Sequence, residues 1–298
     1  MIKPKQARRA MERYRITSGK GFRLKDHDPD DTAEGVVDKR DSEALLAAGV
    51  ARLTELQELL YPHASWALLC IFQAMDAAGK DGTIKHVMSG VNPQGVQVMS
   101  FKAPGPQVLA HDFLWRISLS LPERGHIGIF NRSHYEEVLV VRVHQDLLKG
   151  QRLPAELVGK HIWEERLADI AAFERYLSHQ GTVVLKFFLN ISFAEQKRRF
   201  LERLDQPEKN WKFSASDIAE REYWKAYMEA YEEAIAATAA PHAPWFVVPA
   251  NNKWFARLVV VEAMIEALED LNLKPMKMDE AGRARLDEAR RRLEEEKA

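Results

Sequence analysis

The chain has 298 residues, enough for one large domain or two ordinary ones. Its 46% hydrophobic and 29% charged residues supply a packed core and exclude global disorder. With 43 Lys and Arg against 44 Asp and Glu the net charge is −1, which excludes a generic nucleic-acid-coating protein and means any anion site must be built locally. Cys70 is the single cysteine, so no intrachain disulfide can form and a reducing compartment is expected. MIKPKQARRAMERYRI lacks the apolar core of a signal peptide, and no stretch approaches the ~18 apolar residues of a membrane span. A cytoplasmic protein with no membrane partner is expected.

Residues 1–40 are polar and read as an extended arm with turns, DHDPDDTAEG at 26–35 being rich in Asp and Pro. Leu45, Leu46, Val50, Leu53, Leu56 and Leu60 recur at helical spacing and predict an amphipathic helix over 41–61. SWALLCIF at 65–72 is a continuous apolar run of the kind a buried parallel strand shows. A helix then begins near Gly79, and GVQVMSF at 95–101 reads as a second strand. Residues 106–121 read as helix, HIGIF at 126–130 as a third strand, and further helices start at Ser133 and span 161–179. TVVLKFFL at 182–189 is a fourth strand, helices follow at 193–204 and 215–238, and WFVVP at 245–249 is a fifth, before a last core helix at 253–271. Alternating strands and helices predict an α/β fold with a five-stranded parallel sheet between helices, binding its ligand at the carboxyl ends of the strands. Three segments result: the arm, a catalytic domain over 41–272, and a charged helical tail over 273–298 that reads as solvated.

Chemistry concentrates in three places. FQAMDAAGKDGT at 72–83 sits in the strand-loop-helix context of a phosphate loop, where backbone N–H groups and a lysine meet phosphate oxygens. Against G-x-x-x-x-G-K-[ST], Ala74 replaces the first glycine, Gly79 and Lys80 match, and Asp81 replaces the hydroxyl residue. The bland alternative is a plain strand-to-helix turn capped by Asp76. A carboxylate is however a natural hard-oxygen replacement for the metal-binding hydroxyl, and Asp76 beside phosphate becomes attractive once a divalent cation lies between them. The loop therefore predicts a metal and more than one phosphate chain, with Ala77, Ala78, Gly79, Asp81 and Gly82 around them.

At the end of the third strand, Asn131 stands where a metal-binding acid would follow a buried strand, and the Arg132 fork suits phosphate. Ser133 and Glu136 have the spacing of a capping box, and Glu136 is either that cap or a metal or water ligand. Arg142 is either a salt-bridged helix residue or a second anion contact. The third place is 195–217, where Lys197, Arg198, Arg199, Arg203, Lys209 and Lys212 outnumber the acids. This run, about 197–215, is either a solvated face or a helical lid over phosphates. Lys186, inside an apolar strand, needs an anion or carboxylate as partner.

Taken together, MDAAGKDGT, GVNPQGVQVMSFKAP, AHDFLWR, GHIGIFNRSHYE and WKFSASD resemble the polyphosphate kinase 2 family over about residues 25–270, most closely its third class. The resemblance implies a P-loop kinase-like fold with a lid, and Mg²⁺-dependent, reversible phosphoryl transfer from inorganic polyphosphate to AMP or ADP, Mn²⁺ being a second candidate cation. It puts the family's loop aspartate at Asp76, its lysine at Lys80 and its arginine at Arg132, and lid contacts around Arg198, Arg199 and Lys212. Asn131 departs from the aspartate of other classes, which shifts metal binding onto Asp76 with Glu136. The partners expected are polyphosphate, adenine and then guanine nucleotides, no nucleic acid, and further copies of the chain as a dimer or tetramer. The competing readings are an ATP-dependent nucleotide kinase and a non-catalytic nucleotide- or polyphosphate-binding protein.

Overall fold

ALLCIFQ, Ala67–Gln73, forms β2, and every residue of it is buried. So continuous an apolar run needs cover on both faces, which a central parallel strand receives. In this computed structural model, which describes residues 10–34, 36–206, 215–276 and 280–296, β2 pairs in parallel with β4 (Ile127–Asn131) and with β5 (Thr182–Asn190). β3 (Val96–Ser100) lies outside β4, and β6 (Trp245–Pro249) outside β5. The five predicted strands are all present.

The sheet has six strands rather than five, in the order β1-β6-β5-β2-β4-β3. β1 is Arg15–Ile16, from the segment read as a loose arm, and it runs antiparallel to β6. Two residues carry no periodicity, so the sequence could not announce this strand. The arm is also seated on the core, burying Met11, Tyr14, Leu24 and Val37. Asn251 N–H donates to Pro29 O at 3.0 Å and Leu24 N–H to Glu232 at 2.7 Å.

Around the sheet stand α1 (Ser42–His63), α2 (Lys80–Val87), α3 (Ile162–His179), α4 (Phe193–Leu204), α5 (Trp224–Thr238) and α6 (Lys253–Asp270). α1 packs on α6. Their close approach uses Gly49, where a Cβ would lie 3.0 Å from a Val261 methyl. The tail helix α7 (Glu280–Glu295) buries no residue. Among the described residues no helix is long and apolar enough to cross a membrane.

Three helical expectations fail in detail. The stretch 106–121 is two single turns, Pro106–Leu109 and Trp115–Ser118. Between them the Asp112 carboxylate accepts from Leu114 N–H at 2.9 Å, a local bond that competes with helix continuation. Past Ser133 the chain makes a 3₁₀ turn, His134–Glu137, and then a short helix at Val140–Val143. The predicted 215–238 helix is likewise interrupted by a 3₁₀ turn at Glu220–Tyr223.

Phe72 of β2 stands level with Asn131 of β4 and with Phe187 of β5. The loops after β2 and β4 therefore leave the sheet at one height, while β5 runs on to Asn190. The chain runs from β2 outward to β3, back to β4, and then crosses to the other side of β2, so its carboxyl end is the switch point where α/β sheets open a crevice.

Candidate active site

The β2–α2 loop is shaped by two residues in the left-handed region, Ala77 at φ +61° and Gly79 at φ +103°. At Gly79, the N-cap of α2, any side chain would be strained, and Ala77 likewise holds a left-handed conformation that an L residue adopts only at a cost. The loop thereby turns the first N–H groups of α2 toward an open cleft of about 960 Å³, roughly the upper range of small-molecule sites.

Lys80 is buried and folds back so that its ammonium donates to Ala74 O at 2.8 Å. Burial lowers its pKa, an effect that the nearby Asp76, Glu136 and Asp81 carboxylates oppose. Arg132, the residue after β4, holds φ +64° and continues the ladder by donating its N–H to Phe72 O at 3.0 Å. That conformation points the guanidinium at the loop, 3.1 Å from Asp76 and 3.5 Å from Glu136. Desolvation opposes the Arg132 charge, but Glu136 and Asp76 outweigh it and raise its pKa. Glu136 is raised from the ordinary carboxyl value, burial outweighing Arg132 and Lys80.

Asn131, one residue earlier, donates from Nδ2 to Asp81 Oδ1 at 2.7 Å. The donor sequence reasoning placed after the strand and the second aspartate of the loop are thus partners. Asp76, Asp81 and Asn131 all line the cleft. Among the described residues no three His, Cys, Asp or Glu converge as a protein-only metal cage. The donor set instead suits a hard cation that takes one or two carboxylates and completes its shell with water and phosphate oxygens.

Of the predicted contacts, the structure brings Asp76, Ala77, Ala78, Gly79, Lys80, Asp81, Gly82, Asn131, Arg132 and Arg199 to this cleft. Glu136 reaches it through Arg132. Arg199 is there as a strut rather than as a free cation. Its guanidinium donates to Glu195 at 2.7 Å, to Ala77 O and Ala78 O at 3.2 and 2.7 Å, and to Ala250 O and Asn251 O at 2.6 and 3.0 Å. These contacts use its five N–H donors and bolt the phosphate loop to the segment after β6.

Three predicted anion contacts stand elsewhere. Arg198 is exposed and pairs with Glu195 and Glu202 on its own helix. Arg142 pairs with Glu233 at 2.5 Å, the salt-bridged alternative of the two left open. Lys186 is fully buried in the core, 2.5 Å from Glu174 of α3, so its partner anion is a carboxylate of the chain. Lys212, like Lys209, lies outside the described residues.

Sequence reasoning missed much of the basic wall. Lys85, Lys102, Lys253 and Arg257 line the cleft together with Arg203, which the basic run had offered and which pairs with Asp217 at 3.5 Å. Arg257 Nε is buried with no hydrogen-bond partner among the described residues, a donor turned to the cleft side of α6. Lys253 and Arg257 carry a signal in the sequence: they open a helix directly after a strand's carboxyl end, as Lys80 does. Asp217 has its pKa raised by burial and by Asp76.

A parallel sheet whose central strand runs into a lysine-bearing phosphate loop, with an arginine at the neighbouring strand end, defines a phosphotransferase of the P-loop kinase type. The comparisons give the family. Residues 36–275 match the family described as Polyphosphate kinase 2 (PPK2). The chain is 52% identical over 250 residues to the "ADP-polyphosphate phosphotransferase" of Rhodopseudomonas palustris, covering 84% of this chain and 86% of that one. It is 47% identical over 264 residues to the "AMP/ADP-polyphosphate phosphotransferase" of Meiothermus ruber, covering 89% and 95%. The crystal structure of polyphosphate kinase 2 from Arthrobacter aurescens TC1 superposes with a TM-score of 0.83 at 45% identity, over 92% of this chain and 95% of that one. The chain is an enzyme of the polyphosphate kinase 2 family.

Proposed function

We propose that this chain transfers the terminal phosphoryl group of inorganic polyphosphate to AMP and ADP, reversibly and with Mg²⁺. The observation that carries the reading is the convergence of Asp76, Lys80 and Arg132 at the mouth of one cleft with basic walls. The relatives named for ADP and for AMP/ADP support the acceptor class. The large cleft leaves room for a nucleotide and a segment of chain.

The acceptor phosphate, with a second pKa near ~6, is largely ionised at neutral pH and needs no general base. One of its oxygens attacks the terminal phosphorus of polyphosphate. The bridging P–O bond breaks, and the shortened chain leaves with the electron pair. What opposes the reaction is the meeting of two polyanions, so positioning and charge neutralisation are the main demands on the catalyst. Lys80, at the start of α2, supplies a positive charge beside the loop N–H groups. Arg132 presents a planar fork to the transferring group, released from Asp76 as phosphate arrives. Lys253, Arg257 and Arg203 give the donor chain a basic wall. Asp76, with Asp81 and the Asn131 side-chain oxygen beside it, would hold Mg²⁺ or Mn²⁺, which when bound neutralises charge between the two phosphates.

The test is to incubate the protein with polyphosphate, Mg²⁺ and either AMP or ADP and follow ATP. ATP from ADP, and ADP followed by ATP from AMP, is the expected result. Activity on ADP alone would reject the third-class acceptor range. An ATP-dependent nucleotide kinase would form no ADP from AMP without ATP and would form ATP from ADP equally well without polyphosphate, and a binding protein would give no product at all.

A further inference from the structure

Lys186 has no part in the cleft, yet it is the centre of a polar cluster in the core. Its ammonium donates to Glu174 Oε2 at 2.5 Å, to Thr238 O at 2.8 Å and to the Tyr135 hydroxyl at 3.2 Å, which uses its three N–H groups. The Tyr135 hydroxyl lies 2.8 Å from both Glu174 Oε1 and Thr238 Oγ1. Trp245 Nε1 donates to Thr238 Oγ1 at 2.8 Å, and His134 Nε2 stands 3.6 Å from Glu174. Five elements meet here: α3, β5, β6, the end of α5, and the 3₁₀ turn that follows Arg132. Burying an ion pair is seldom worth its desolvation as a source of stability, whereas it does fix the relative placement of the elements it joins.

What it fixes is the turn that carries the site. Arg132 is a non-glycine residue at φ +64°, and such a conformation persists only where its surroundings over-determine it. On one side Arg132 N–H is tied to Phe72. On the other, Ser133 Oγ accepts from Gln73 Nε2 at 3.0 Å and from Tyr135 N–H at 3.1 Å, and Tyr135 then drops its ring into the core cluster. Glu136, the next residue, reaches back to Arg132.

We propose that Tyr135, held by Glu174, Lys186 and Thr238, is a positioning residue that sets the Arg132 fork and Glu136 against the phosphate loop. The cluster touches neither substrate and acts only through Arg132 and its turn. The inference rests on the proposed phosphoryl transfer for its kinetic consequence, but not for its structural one.

Tyr135→Phe keeps the ring and removes the hydroxyl. The expected result is a kcat about ten- to a hundredfold lower, as small misplacements of reacting groups give, with the KM for polyphosphate within about twofold, since the basic walls are intact. In an Arg132→Lys background the same change should cost less than about twofold, because the fork it positions is already gone. Amide exchange over 132–137 should speed up in Tyr135→Phe while β2 and β5 stay protected. Unchanged kcat, or an equal loss in both backgrounds, overturns the positioning role and leaves a structural one. If Tyr135→Phe does not fold, Thr238→Val removes one acceptor at the far corner and should lower kcat in the same sense, again not in the Arg132→Lys background. Absence of ATP formation by the unaltered chain would count against the phosphotransferase reading alone. Unchanged exchange over 132–137 would then still overturn the proposal made here.

Discussion

At the residue scale, Lys80 is a buried cation at the edge of the cleft. Its burial lowers its pKa, and the surrounding carboxylates oppose that shift. A lysine whose pKa is depressed loses its proton earlier as pH rises, so kcat/KM, which reports the free enzyme, should fall on an alkaline limb below the ordinary lysine range. Bound phosphates favour the ammonium, so the limb in kcat should lie at higher pH. Lys80→Arg, which cannot deprotonate, should abolish the limb in both profiles at reduced rate; pH–rate profiles check this. Lys80 and Asp76 were legible because the loop pattern and the charge argument are local. Lys186 was not: the need for a partner was readable, but only the packing of α3 on β5 says that the partner is Glu174. Arg199 misled for a related reason. A basic run advertises charge, and nothing in it tells a guanidinium spent on backbone carbonyls from one open to phosphate.

At the element scale the phosphate loop depends on α4 and the segment after β6 through Arg199. Arg199→Met would leave the Ala78 and Ala250 carbonyls without a donor that now lies at 2.7 and 2.6 Å. Losing a buried charged hydrogen-bond hub costs about 3 kcal/mol. For a chain of this size that is a fall in Tm of roughly 5 °C. Thermal melts check it, and the polyphosphate KM should change less than the Tm shift would suggest if the strut is Arg199's main role. The strands were readable because continuous apolar runs flanked by helices have few alternatives. The helix at 106–121 was not, because Asp112 offers Leu114 N–H a side-chain partner in place of the helical carbonyl. The two-residue β1 left no pattern to read.

At the scale of the whole molecule, a net charge of −1 coexists with a cleft whose walls gather Lys85, Lys102, Arg203, Lys253 and Arg257. Local charge of that kind draws a polyanion and is screened by salt, so the polyphosphate KM should rise with ionic strength between ~50 and ~500 mM while kcat changes little. A flat KM would argue against the basic walls as the donor track. The core adds a pH dependence of stability. Burial would raise the Glu174 carboxyl, but Lys186 and the nearby His134 ring outweigh it and hold it below the ordinary 4.5. A depressed carboxyl contributes stability that is full above its unfolded value and is lost as pH falls through its folded one. Denaturant unfolding should therefore weaken below about pH 4.5, and the double variant Glu174→Gln with Lys186→Met should flatten that limb.

Whether Asp76 serves polyphosphate-dependent transfer is measured by comparing the unaltered chain with Asp76→Asn, each given polyphosphate, Mg²⁺ and ADP, with ATP formation and polyphosphate binding followed side by side. ATP is expected from the unaltered chain. For Asp76→Asn the rate should be lower by about 10²–10³, with the chain bound at least as tightly, since a negative charge has left a phosphate site. Equal rates from the two proteins, or ATP formation only when a nucleoside triphosphate is the donor, would contradict that role.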